Sequence, residues 1–134
     1  MMGAKQVKVG LRVRDLQASG DLYLRLGFRE IPNDDQPNLR YLTFGHTWLI
    51  LSDMYAHEYN RPEEEQAVQA GPLGLGFALA LPTPDLDTAY DLWRREGLPV
   101  VSEPQDTAWA RTFAGQDLDG YEVVFEQFHD EYRP

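Results

Sequence analysis

Glu122 and Glu126 flank Val124 in the stretch Tyr-Glu-Val-Val-Phe-Glu-Gln at 121–127. In an extended strand, where successive side chains point to opposite faces, this spacing puts both carboxylates and Val124 on one side and Val123 and Phe125 on the other. Two carboxylates so placed can pair with an amine. Without a histidine beside them they are a poor set for a transition metal. His46, His57 and His129 fall in a turn, a connecting segment and the tail, where a plain surface role is the ordinary one. The chain has no Cys, which excludes disulfide frameworks, thiolate zinc sites and Cys nucleophiles. Leu73-Gly74-Leu75-Gly76 has the look of a glycine loop, but it lacks the Lys-Ser/Thr ending and begins a strand instead of opening a helix. The remaining chemistry is that of recognition. Trp48 and Tyr41 offer flat faces to an aromatic or cationic guest, and Lys8 and Arg12 offer charge.

These residues need strands to hold them. Residues 6–13 alternate strictly, with Val7, Val9, Leu11 and Val13 on one side and Lys8, Gly10 and Arg12 on the other. Asp15 stands where an N-cap belongs, and a helix is expected through about Leu26, with Gly20 weakening its middle and Gly27 stopping it. Strands are expected at 28–31, 38–45 and 47–52, the last opposing Leu49 and Leu51 to Trp48, Ile50 and Ser52. Residues 54–72 carry Glu63-Glu64-Glu65 without a sustained period and read as a linker, with a short helical turn near 63–69. The second half then repeats the plan. An alternating strand spans 73–81, and a helix behind Asp85 carries Leu86, Ala89, Tyr90 and Trp93 on one face. Gly97 stops that helix, a short strand follows at 98–102, and a hairpin at 110–127 turns at Asp117-Leu118-Asp119-Gly120. Asp15 and Asp85, like Gly27 and Gly97, stand seventy positions apart, the mark of a duplication.

The 134 residues therefore read as one α+β domain. It consists of a first βαβββ module at 5–53, a linker at 54–72 and a second βαβββ module at 73–128. With 43% hydrophobic residues, seven Tyr, six Phe and three Trp, the chain can fill a sizeable core. A net charge of −10 repels nucleic acid and anionic lipid and favours the approach of cations. No apolar run reaches signal-peptide or membrane-spanning length, so a cytoplasmic protein without nucleic-acid or membrane partners is expected.

The duplicated plan is joined by four motifs: Val-Arg-Asp-Leu at 13–16, Thr-Pro-Asp-Leu at 83–86, Leu-Gly-Phe at 26–28 and Asp-Leu-Asp-Gly at 117–120. Together they resemble the vicinal oxygen chelate superfamily of glyoxalases, bleomycin-resistance proteins and extradiol dioxygenases. The resemblance implies that the two modules curl their strands into a cup with helices outside and a ligand inside. It also implies one divalent metal in the enzymes, held near the start of each module's first strand and in each module's last strand. Aligned on these motifs, the four places fall on Lys8, Gly76, Ile50 and Val124. Lysine is a competing cation and the others carry no donor, so neither the usual metal nor any other cofactor is expected.

Face parity nominates Lys8, Arg12, Trp48, Ile50, Ala78, Ala80, Glu122, Val124 and Glu126 as lining, together with Tyr41 and with Trp109 or Arg111. The expected function is that of a metal-free binding protein similar to the bleomycin-resistance branch, sequestering a bulky cationic or aromatic compound, antibiotics among them. The alternative is a metal-dependent lyase, isomerase or dioxygenase of the same superfamily. A dimeric accessory subunit without a small ligand is a third possibility. A homodimer is expected in each case, because single modules leave sheet edges open.

Overall fold

Asp15 and Asp85 each accept a hydrogen bond from the backbone three residues on, Ala18 N at 3.0 Å and Thr88 N at 3.3 Å, and so start two ten-residue helices. Gly27 and Gly97, at φ of 112° and 73°, end them. The computed structural model describes residues 7–129, and the chain divides into two compact units, Met1–Gly71 and Pro72–Pro134.

The first unit runs β1 (Lys8–Val13), α1 (Leu16–Arg25), β2 (Arg29–Ile31), β3 (Leu39–Phe44), β4 (Thr47–Asp53) and α2 (Pro62–Ala70). Its sheet has the order β1-β4-β3-β2, with β1 parallel to β4 and the other pairs antiparallel. The second unit runs β5 (Ala78–Pro82), α3 (Leu86–Arg95), β6 (Val100–Asp106), β7 (Ala110–Gln116) and β8 (Glu122–Phe128), in the equivalent order β5-β8-β7-β6. The fold is thus the α+β arrangement of two βαβββ modules, each with a mixed four-stranded sheet.

In each sheet one face is sealed by the helix. Leu11, Val13, Leu42, Leu49 and Leu51 are buried with Leu22 and Tyr23 of α1 in the first unit. Leu81, Phe113, Val123 and Phe125 are buried with Leu86 and Trp93 of α3 in the second. Removing each such side chain from water contributes roughly 1.5–3 kcal/mol. Phe113 and Phe125 stack at 4.9 Å between centroids, with the Trp93 ring edge-on to both.

Gly20, which intrinsic propensity marks as a weak point of α1, has a structural reason. A Cβ there would lie 2.6 Å from Arg40 Nε. The Arg40 guanidinium crosses the helix at this position. It donates to both Glu30 oxygens at 2.7 and 2.8 Å, to Asp21 Oδ1 at 3.1 Å and to the Gln17 carbonyl at 3.1 Å. That hydrogen bonding, more than the opposing burial, holds Glu30 below its ordinary carboxylate range. The cation ties α1 to β2 and β3 on the covered face of the sheet.

Two expectations are corrected. The strand read at 73–81 begins only at Ala78, because Gly74 and Gly76 adopt φ of 80° and 81°, outside the extended range. The strand read at 98–102 is longer, Val100–Asp106, and accommodates Pro104 through two register shifts against β7. The helical turn expected near 63–69 is a nine-residue helix, Pro62–Ala70, opened by Pro62 and burying none of its residues.

The second core depends on a second glycine. A Cβ on Gly115 would lie 2.6 Å from Cε2 of Trp93 and 2.7 Å from the Pro99 carbonyl oxygen, the same oxygen that accepts from Trp93 Nε1 at 3.0 Å. Gly115→Ala is therefore expected to lower stability by about 3 kcal/mol or more, as overpacking together with a lost buried hydrogen bond does. Urea denaturation checks this, and an unchanged midpoint would contradict the packing described.

Candidate ligand-binding faces

The helix covers one side of each sheet, and cross-strand pairing fixes what stands on the other. In the first unit, Lys8 pairs with Trp48, Trp48 with Thr43, and Thr43 with Arg29, so one row crosses all four strands. The next row is Gly10, Ile50, Tyr41 and Ile31, and the third holds Arg12, Ser52 and Leu39. Apart from buried Ser52, every one of these residues is half-buried or exposed. The Trp48 and Tyr41 rings lie 6.1 Å apart at 54°, and Lys8 Nζ stands 5.7 Å from the Trp48 centroid. The Tyr41 hydroxyl donates to Gln36 Oε1. Lys8, Arg12, Trp48 and Ile50 thus share one face, the one their parity indicates, and the register places Tyr41 on it as well.

Arg29 and Ile31 belong to this face and were missed, since β2 is only three residues long and shows no alternation of its own; Thr43 of β3 lies between Trp48 and Arg29 in the first row. His57 was also missed. The segment after β4 returns over the third row, bringing His57 Nδ1 to 3.3 Å from Ser52 Oγ and its ring to 4.6 Å from that of Tyr59. Burial, and then the neighbouring Arg12 charge, hold the His57 imidazole below its ordinary value. The Tyr59 hydroxyl donates to the Met54 carbonyl at 3.1 Å. A depression of shape near the β3–β4 turn, about 550 Å³, is lined by Arg29, Ile31, Thr43, His46 and Trp48 among others.

The second unit's open face differs in character. Ala78 pairs with Glu122, Ala80 with Val124, and across β7 Gln116, Ala114 and Thr112 stand beside Glu122, Val124 and Glu126. It is a face of small side chains edged by carboxylates. Arg111 is not on it. Paired with Gln127, whose Oε1 accepts from Leu86 N at the start of α3, it stands on the helix side and donates to Asp87 Oδ1 at 3.1 Å, with Asp106 at 3.7 Å. Trp109 lies in the turn before β7, 48% exposed, its carbonyl accepting from His129 N.

Register also revises one of the four places that the resemblance assigns to a metal. Lys8 opposite Trp48 corresponds to Ala78 opposite Glu122, so the counterpart of Lys8 is Ala78; Gly76 sits in the turn before the strand. Lys8, Ile50, Ala78 and Val124 carry no ligand for a divalent cation. Among the described residues no three His, Cys, Asp or Glu side chains gather as a metal would require. His57 stands beside Arg12, which adds a repelling charge. The donor set does not fit the superfamily's metal.

A sequence model described as the Glyoxalase/Bleomycin resistance protein/Dioxygenase superfamily matches residues 5–125. No curated protein matches. Among solved structures, a glyoxalase/bleomycin resistance protein/dioxygenase family enzyme from Burkholderia phytofirmans PsJN is 20% identical with a TM-score of 0.74, over 91% of this chain and 97% of that one. TnmS3, an antibiotic binding protein from Streptomyces sp. CB03234, is 23% identical with a TM-score of 0.65, over 91% and 93%. TioX from Micromonospora sp. ML1 is 18% identical with a TM-score of 0.69, over 93% and 99%. At these identities the likeness is one of fold.

The His57 environment gives a pH prediction. Its folded value lies below that of an unstructured histidine, so its contribution to stability is full above about pH 6.5 and is lost as pH falls through the lower folded value. An NMR titration of the His57 ring is expected to show a midpoint below 6.5, and Arg12→Gln is expected to raise it. A wild-type midpoint at or above 6.5 would contradict this placement of the ring.

Proposed function

The chain belongs to the Glyoxalase/Bleomycin resistance protein/Dioxygenase superfamily, and from that premise we propose that it is a metal-independent binding protein that holds a bulky, planar aromatic compound on its open sheet faces. The observation that carries this reading is the pairing of Trp48 with Tyr41 across neighbouring rows, with Ile50 beside them, on a sheet face that its own helix leaves uncovered. Rings tilted in this way take a flat guest stacked on one and at an angle to the other, and each contact adds about 0.5–1.5 kcal/mol beyond the area buried. TnmS3, described as an antibiotic binding protein, has a similar fold, which supports an antibiotic-like guest. A metal-dependent lyase, isomerase or dioxygenase would have to polarise its substrate through an ion, for which Glu122 and Glu126 without a histidine beside them are a poor set.

The acidic second face suits an amine carried by the same class of compound, through Glu122 and Glu126. Homodimer assembly belongs to the same proposal, since β2 and β6 each pair on one side only within their own sheets. No helix among the described residues is long and apolar enough to cross a membrane, in keeping with our proposal of a cytoplasmic protein.

Calorimetric titration with planar aromatic compounds, bleomycin-type drugs included, is expected to find affinity tighter than about 1 mM, or roughly −4 kcal/mol. Trp48→Ala is expected to weaken it by about tenfold, as loss of an aromatic anchor does. Elemental analysis of protein purified without chelator is expected to show no stoichiometric metal. Stoichiometric iron, manganese, nickel or zinc, or the absence of any such binding, would overturn the proposal.

A further inference from the structure

The chain as a whole is strongly acidic, yet the row that carries Trp48 is not. Lys8 and Arg29 stand at its two ends, three strand spacings or about 14 Å apart. The depression near the β3–β4 turn contains Arg29, Thr43 and His46 beside Trp48. Its volume, about 550 Å³, falls within the range of small-molecule sites. Glu30 is the one carboxylate in its lining, and its charge is already satisfied, because both oxygens take hydrogen bonds from Arg40 at 2.7 and 2.8 Å. By strand alternation Glu30 also points to the helix side, while its neighbours Arg29 and Ile31 point to the open side. Arg29 has no ion-pair partner among the described residues. A planar, permanently charged guanidinium in the same row as a half-buried indole is a fork for a carboxylate attached to an aromatic ring.

We propose that the guest of the first unit's open face is a planar aromatic acid, its rings on Trp48 and Tyr41 and its carboxylate or equivalent anionic group at Arg29. This rests on the reading that the face binds an aromatic small molecule, and it assigns that molecule a charge opposite to the one the chain's net charge of −10 suggests. The two tendencies act over different distances. Salt at physiological strength screens the diffuse negative field beyond about 8 Å, whereas a guanidinium hydrogen-bonded to an anionic group acts well inside that distance. Discrimination at the site is therefore set by Lys8, Arg29 and the hydrogen-bond donors Thr43 and His46. A cationic guest placed on Trp48 would meet Lys8 on one side and Arg29 on the other.

The test compares three ligands of the same shape by calorimetry against the full chain: 2-naphthoate, 2-naphthamide and 2-naphthylmethylammonium. Naphthoate is expected to bind about tenfold tighter than the amide, the gain typical of one charge-assisted hydrogen-bonded contact, and the ammonium compound more weakly than either. Arg29→Gln, at an exposed position, is expected to keep the wild-type melting temperature and to bring naphthoate down to the affinity of the amide. If the amide or the ammonium compound binds as tightly as naphthoate, or if Arg29→Gln leaves naphthoate unchanged, the assignment of an acid is overturned while aromatic binding stands. If none of the three binds, the aromatic reading itself fails with it.

Discussion

A ten-residue helix can cover only one side of a four-stranded sheet, and in both halves of this chain that side is chosen by the two-residue period of the strands. Leu49 and Leu51 alternate with Trp48 and Ile50, and Val123 and Phe125 alternate with Glu122, Val124 and Glu126. Burying the first member of each set also fixes the second on the uncovered side. A slip of one residue would exchange the two sets, putting Trp48 and two glutamates into the core. The composition of each open face follows from the requirement to fill the covered one.

The helices are seated by different means in the two units. Arg40 reaches over Gly20 to carboxylates and a backbone carbonyl in the first, whereas Trp93 lies against Gly115 in an aromatic cluster in the second. The open faces have diverged as well. One carries two cations at the ends of an aromatic row, and the other carries alanines edged by glutamates. The two units share one scaffold and differ in the residues that face outward. The first open face offers cations and aromatic rings and the second offers two carboxylates without an imidazole beside them, which is the composition on which the proposed recognition role rests.

Much of this was legible in the sequence, and the residues that were not had physical reasons. Asp15, Asp85, Gly27, Gly97 and the Asp117 turn act through contacts within a few residues, and local rules captured them. Long alternating strands revealed Trp48, Ile50, Glu122 and Val124. Arg29 escaped because a three-residue strand takes its face from its partner, here Thr43, and not from its own pattern. His57 escaped because nothing local says that an irregular segment will fold back on Ser52. Arg111, offered as an alternative to Trp109 for the lining, stands on the helix side, where its partner Asp87 lies in a helix 24 residues away. Gly74 and Gly76 looked like the small members of an alternating strand until their positive φ placed them in a turn.

The central claim is that an aromatic guest rests on Trp48, and the indole N–H resonances test it within one molecule. Trp93 is fully buried with its Nε1 donating to Pro99, so it serves as an internal control. On titration with 2-naphthoate, heteronuclear NMR is predicted to show the Trp48 indole signal moving saturably while that of Trp93 stays in place. A stationary Trp48 signal at ligand concentrations where other resonances shift would contradict the account.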